Sequence, residues 1–342
     1  MSQKLGRAQS VAIAGASTLL GKELKQVLED RNFPASEVSL LDDDVAAGTL
    51  TEAGGEPTFI QEVTAESFEN QRFVFFAGSE AFTALHYDTA LKAGATVIDL
   101  SGGLPAGAHS FMWIPSLDRA LPPPAISPAP PIALYRSPGA GAIIGATVSA
   151  ALKDLSPTRI AILFFPPVSE AGQLGVDELE GQTTNLLSFR GIEREVFDSQ
   201  VAFNLLAQYG EERKPPLHVI REGLASTIET YLTGRAVIPA IQIIQAPIFY
   251  GYSFAVFADF TARPNFSDVE AAFRTLGVHV ADKDEPSPDI VSAAGQSEIQ
   301  LARVDGDSGV KTGLWLWGVA DNLRLGATNA VRIAEELLAV PA

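Results

Sequence analysis

The sequence contains no cysteine. That absence excludes a disulfide framework, thiolate metal sites and thiol nucleophiles together. Histidine is scarce as well. His86, His109, His218 and His279 are the only four in 342 residues, and no two stand at helical or turn spacing for a shared metal. A zinc or iron centre is therefore not expected. Positive charge is in short supply too, with 24 Lys and Arg against 41 Asp and Glu for a formal charge of −17. Nucleic acid and anionic membranes both need a positive footprint that displaces counterions, so neither is expected as a partner. No run approaches the roughly 20 apolar residues that cross a bilayer. The opening MSQKLGRAQS is polar, without an apolar stretch of signal-peptide length. The expected location is the cytoplasm.

What is present suffices for a large core. The chain is 46% hydrophobic and 19% charged, which fits two globular domains rather than disorder. Ser10 to Ala14 reads as a short buried strand, and Gly15-Ala-Ser-Thr-Leu-Leu-Gly21 turns it into a helix over Lys22 to Asp30. Strands follow at Val38 to Leu41, ending in Asp42-Asp43-Asp44, at Phe73 to Phe76, and at Thr96 to Leu100. A helix over Ala81 to Ala93 separates the last two. Alternation of this kind implies parallel pairing, hence an α/β fold with a doubly wound N-terminal sheet. The proline-rich passage from Pro105 to Pro138 reads as a crossover between domains, or as a long surface loop. Beyond it come a helix over Ala146 to Leu155 and strands at Arg159 to Phe165, Val237 to Ile244, Phe249 to Phe260, Ile299 to Val304 and Leu314 to Val319. Long strands with few crossover helices predict an α+β second domain with a mixed or antiparallel sheet. A closing helix runs from about Asn322 to Leu338.

Several segments, in order, resemble the aspartate-semialdehyde dehydrogenase family. They are Val11 to Leu41 with its Arg-Asn-Phe-Pro-x-Ser-Glu run, Ala93 to Asp99, and Val168-Ser169-x-Ala171-Gly172, which is similar to the family's VSGAG. Val201 to Asn204, Asp321-Asn-Leu-Arg-x-Gly326 and Asn329 to Val331 complete the set. Each is weak alone, and together they cover the chain nearly end to end. The resemblance implies a Rossmann NAD(P)-binding domain over 1–133, completed by the helix 321–342. It also implies a substrate domain over 134–320 that dimerises through its sheet. The family reduces aspartyl phosphate with NADPH through a cysteine thioester.

Reversible acyl transfer needs a nucleophile that is also a good leaving group, and a serine alkoxide is a poor one near neutral pH. The family's cysteine position corresponds to Ile143 or, on another alignment, to Ala140. The substrate-orienting glutamine corresponds to Pro166, the histidine acid/base to Tyr252, and the two anion-binding arginines to Gln245 and Pro105. A phenol titrates near 10 and is a poor base at pH 7. Losing nucleophile, base and both guanidinium forks together points to a lost reaction. Ser137 and Thr147 flank the loop, but neither has a histidine near it in sequence.

The resemblance implies cofactor contacts at Gly15, Ser17, Thr18, Leu19, Gly21, Asp42, Ala77, Gly78 and Asn322. Gly15 and Gly21 keep two of the family's three loop glycines, and Thr18 replaces the middle one. These glycines serve either a nucleotide or packing alone. Carboxylates at Asp42, Asp43 and Asp44 would repel a 2′-phosphate and accept ribose hydroxyls, so NAD is expected over NADP, unless the run is a solvated loop. The first expectation is a homodimeric, non-catalytic homologue with a small-molecule ligand. The alternative is an NAD(P)-dependent oxidoreductase acting without a covalent intermediate, with Tyr252 as proton donor.

Overall fold

The computed structural model describes residues 9–43, 45–53, 56–105, 108–123, 133–213 and 215–339; Asp44 and most of the proline clusters of the crossover passage lie outside them. The chain forms two compact units. The first takes residues up to 115, 126–139 and 326–342, and the second takes 116–125 and 140–325.

In the first unit, β1 (Gln9–Ala14) leads to α1 (Leu19–Asp30) and β2 (Ala35–Asp42). A hairpin of β3 (Leu50–Ala53) and β4 (Glu56–Phe59) precedes the short β5 (Gln61–Glu62). Then come β6 (Phe73–Phe76), α2 (Glu80–Lys92), β7 (Thr96–Asp99), β8 (Phe111–Met112) and β9 (Leu134–Arg136). The sheet order is β5-β2-β1-β6-β7-β9-β8, parallel at every pairing. The proline-rich passage thus supplies two strands of this sheet, where the sequence suggested only a connection.

Phe73, Val74, Phe75 and Phe76 are all buried, as expected of a strand covered on both faces. Val11, Ile13, Phe73 and Phe75 face Leu24, Val27 and Leu28 of α1, together with Ala330, Val331 and Ala334 of the C-terminal helix. Ala12, Ala14, Val74 and Phe76 face the other way, toward Ala90 of α2. Each buried Phe or Leu contributes on the order of 2 kcal/mol. Arg31 closes the first layer with a two-pronged bond to Glu335, Nε to Oε1 at 3.0 Å and Nη2 to Oε2 at 2.5 Å. The strand order reverses between β1 and β6, and at such a switch point a doubly wound sheet opens a crevice at its carboxyl edge.

In the second unit, α3 (Ala140–Leu152) and β10 (Pro157–Phe165) precede α4 (Gly172–Leu187) and α5 (Leu217–Leu232). β11 (Ala240–Ile243), β12 (Tyr252–Phe260), α6 (Phe266–Thr275) and β13 (His279–Val280) follow. The unit ends with α7 (Ile290–Ala293), β14 (Gln300–Leu301), β15 (Asp305–Gly306), β16 (Gly313–Ala320) and the start of α8 (Asn322–Ala339). The order β11-β10-β12-β16-β14-β13 mixes parallel and antiparallel pairs, as the long strands implied. The strand foreseen over Ile299 to Val304 shrinks to Gln300–Leu301. The period of two is clean here. Ile160, Ile162, Phe164, Phe254, Val256, Leu314 and Leu316 are buried, while Leu163, Phe165, Ala255, Phe257, Trp315 and Trp317 stand half-open on the opposite face. Among the described residues no helix is long and apolar enough to cross a membrane.

Candidate functional site

The loop between β1 and α1 sits at the switch point of the first sheet. Gly15 has φ of +94°, and a Cβ there would lie 2.2 Å from the Gly78 nitrogen. A Cβ on Gly21 would lie 2.2 Å from the Gly15 oxygen. Both glycines are required by backbone contact at β6 and at the helix start, whether or not a nucleotide binds.

Thr18 is the N-cap of α1. Its Oγ1 accepts from the Gly21 N–H at 2.9 Å, and its proton points toward the Gly15 and Ala77 carbonyls, each at 2.9 Å. The hydroxyl is therefore turned inward and is not offered to a phosphate. The Ser17 N–H goes to Asp42 Oδ2 at 2.7 Å, and those of Gly15 and Ala16 go to the Leu41 carbonyl. These contacts leave the Leu19 and Leu20 N–H groups as donors of the first turn, beside a second helix start at Ser79, the N-cap of α2. Asp42 is buried at the end of β2 and also accepts from the Asp43 N–H at 2.9 Å; Asp43 is exposed. A carboxylate has lone pairs to spare beyond two backbone bonds, so Asp42 can accept further hydrogen bonds. The residues present thus fit a dinucleotide. The pyrophosphate would rest on Leu19 and Leu20 rather than on the full loop.

At the end of β7, Asp99 accepts from the Ser101 N–H at 2.9 Å, from Ser101 Oγ at 2.7 Å and from the Leu104 N–H at 3.4 Å. Burial pushes its carboxyl above the ordinary range, against those bonds and the charge of Arg136. Sequence reading missed Arg136. Its guanidinium donates to Ser110 Oγ at 2.7 Å and to the carbonyls of Leu104 and Pro105 at 3.2 and 2.8 Å. Pro105 thus brings no side-chain donor, and its carbonyl is itself held by an arginine from a neighbouring strand. Ser137 Oγ accepts from Asn329 Nδ2 at 2.9 Å in a buried contact.

In the second unit every residue of α3 is buried, including Ala140 and Ile143. Both positions aligned with a nucleophile are apolar groups inside a packed helix. Thr147 spends its hydroxyl on the Ile143 carbonyl at 2.7 Å. Gln245 is buried and fully used. Its Nε2 donates to the Pro166 and Ala246 carbonyls at 3.0 Å each, and its Oε1 accepts the Tyr209 hydroxyl at 2.7 Å. Gln245 thus staples the 206–209 loop, to which it is also bridged at Leu206. Arg213 lies over the Tyr209 ring at 5.8 Å.

Tyr252 is buried at the start of β12, with its hydroxyl 3.3 Å from the place of a Cβ on Gly141. Burial, then Glu170, then Tyr209, hold its phenol well above 10, so it stays protonated at neutral pH. Tyr209 is pushed up to about 12 by burial, opposed by Arg213. Glu170 itself stands at the central glycine of VSGAG, an unassigned position in the sequence reading. Its side chain reaches solvent, yet the surrounding protein raises its carboxyl, with the Asn322 amide opposing. Asn322 Nδ2 donates to Glu170 Oε1 at 2.8 Å and to Ser169 Oγ at 3.2 Å, and Asn322 Oδ1 accepts from the Gly251 N–H at 3.0 Å. The structure therefore gathers Glu170, Tyr209, Tyr252, Gln245 and Asn322 in one unit. It places the loop residues from Gly15 to Gly21, with Asp42, Ala77 and Gly78, in the other. Among the described residues no group of three or more His, Cys, Asp or Glu gathers to hold a metal.

Residues 10–120 match the semialdehyde dehydrogenase NAD binding domain, and residues 150–325 match the semialdehyde dehydrogenase dimerisation domain. A USG-1 protein homolog of Pseudomonas aeruginosa is 32% identical over 345 residues, 99% of each chain. Aspartate-semialdehyde dehydrogenase 2 of Vibrio cholerae is 28% identical across 96% of this chain and 97% of its own. The crystal structure of aspartate semialdehyde dehydrogenase II complexed with ASA, also from Vibrio cholerae, superposes with a TM-score of 0.87 at 26% identity, covering 98% of this chain and 99% of that one.

Proposed function

The chain belongs to the semialdehyde dehydrogenase family, and from that premise we propose that it is a homologue that has given up the thioester reaction and retains a ligand-binding role. The observation that carries this reading is the absence of any thiol in the sequence, joined to the burial of Ala140 and Ile143 within α3. A hydride donor alone cannot open an acyl phosphate along this family's route, because the carbonyl must first be handed to a group able to release it. The remaining positions agree with the loss. Pro166 offers only a carbonyl, Gln245 is spent on backbone and Tyr209, and Tyr252 does not give up its proton near pH 7.

The dinucleotide expected in the first unit is NAD, with Asp42 at the ribose and the start of α1 at the pyrophosphate. The functional assembly is a homodimer joined through the open face of the second sheet, where Phe257 and Trp315 lie directly opposite each other on β12 and β16. Its place of action is the cytoplasm.

A second reading has one observation in its favour. Glu170 acts electrostatically on the Tyr252 phenol, and the two supply protonatable groups that an NAD-dependent hydride transfer to an uncharged carbonyl would use. The deciding experiment incubates purified protein with aspartate semialdehyde, phosphate and either NAD or NADP, alongside equilibrium binding of both nucleotides. Binding of NAD without reduction supports the first reading. Turnover comparable to that of a cysteine-bearing relative defeats it.

A further inference from the structure

We propose that the outer edge of the second sheet carries a built-in guard, the Gln242 side chain, which keeps β11 from pairing edge to edge with the same strand of a second copy of the chain. The proposal concerns assembly and holds whether or not the protein turns over a substrate.

The residues around β11 make an unguarded edge hazardous. β11 is the outer strand of its sheet and pairs with β10 on one side only. No charged residue stands between Arg235 and Asp259, so β11 has none of the charges, lysine above all, that commonly protect an outer strand. Its Ala-Ile-Gln-Ile run is half β-branched. Ile238 just before it is exposed, as are Val219 and Ile220 on α5. An uncharged, β-branched edge of this kind is a template for one more strand.

The outward backbone groups are nevertheless largely withdrawn from such pairing. The Ile244 N–H points inward, to the Phe164 carbonyl at 2.9 Å. By the alternation of a strand, Ile241, Ile243 and Gln245 therefore point outward. Gln245 is bridged to Leu206 in both directions, its N–H donating at 2.9 Å and its carbonyl accepting at 3.0 Å. The Ile243 N–H donates to Gln242 Oε1 at 3.0 Å, so a side chain of the strand itself folds back over the edge. Arg221 Nη1, on α5, lies 3.5 Å from that same oxygen. Pro239, just before the strand, has no N–H to offer. An incoming strand would thus meet the Ile241 N–H where it needs a row of donors.

Amide exchange and sedimentation velocity on the intact chain test the guard. Gln242→Ala removes the acceptor and should speed exchange of the Ile243 amide by about fivefold, the worth of one hydrogen bond. Gln242→Val also adds a β-branched side chain, and should form species larger than the unaltered protein as concentration rises. Gln242→Glu keeps an acceptor oxygen and should sediment like the unaltered protein. Ala240→Lys added to Gln242→Val puts a charge on an exposed position of the edge and should restore the parent size. Unchanged Ile243 exchange in Gln242→Ala overturns the proposal. So does a Gln242→Val protein of parent size at every concentration, equal growth in Gln242→Glu, or growth that Ala240→Lys fails to reverse. Should Gln242→Val not fold, as read by circular dichroism, the exchange rate in Gln242→Ala decides alone.

Discussion

Substituting Thr18 gives the sharpest test of how the nucleotide loop has been altered. The hydroxyl does two jobs: it caps α1 through the Gly21 N–H and ties the loop to the carbonyls of Gly15 and Ala77. Thr18→Ala removes both. Loss of a threonine N-cap costs typically about 1 kcal/mol, and loss of the donated bond costs about 1 kcal/mol more, for a total near 2 kcal/mol. Thr18→Ser keeps the oxygen and should stay within about 0.5 kcal/mol of the parent. Thr18→Gly adds backbone freedom, a further penalty of about 0.5–1 kcal/mol, but it frees the Gly21 N–H and removes the Cβ. Chemical denaturation followed by circular dichroism reads the stability series, and calorimetric titration with NAD reads the ligand series. The expected pattern is a trade, with Thr18→Gly the least stable apo protein and the tightest NAD binder, by about tenfold if one charge-assisted hydrogen bond is regained. NAD affinity unchanged across all three variants, despite the stability loss, would refute the idea that Thr18 restricts the phosphate subsite.

Other outcomes follow from the same geometry. NAD should bind at least tenfold more tightly than NADP, roughly the effect of one repulsive carboxylate near a phosphate, and Asp42→Asn should narrow the gap; fluorescence titration with both nucleotides checks it. Trp315→Glu, placing a charge at the centre of the open sheet face, should convert a dimer to monomer in sedimentation velocity while leaving the circular dichroism unchanged. Tyr209 and Tyr252 have raised pKa values, so their folded states hold protons that the unfolded chain releases from about pH 10. Their contribution to stability is complete below that pH and is lost as pH climbs through about 12, where Tyr209 titrates. Tyrosinate absorbance should accordingly lag in these two residues and in Tyr135, whose phenol burial also raises, and Tyr209→Phe should remove part of the alkaline loss.

The fold was largely legible because its periods are clean. Phe73 to Phe76 and the alternation along β12 state their burial directly. Errors cluster where tertiary contact overrides local preference. The sequence reading starts α3 at Ala146, whereas it starts at Ala140, because Gly141 and Gly145 weaken the helical signal. A Cβ on Gly145 would sit 2.5 Å from Ile228 Cδ1, so the glycine is needed for the approach of α5. Similarly, α1 starts at Leu19 rather than Lys22 because Thr18 supplies a cap inside the loop. The absence of any thiol could be read from residue identity alone, since it needs no geometry. The contacts around the site could not. Glu170 gains meaning only from Asn322, which lies 152 positions away, and Arg136 only from the loop folded against it.

The central claim, that this chain cannot carry an acyl group, is met most directly by intact-protein mass spectrometry after incubation with aspartate semialdehyde and NAD or NADP, quenched in acid. The account predicts an unmodified mass with each nucleotide. An added acyl mass that maps by peptide analysis to the segment from Ser137 to Thr147 would contradict it.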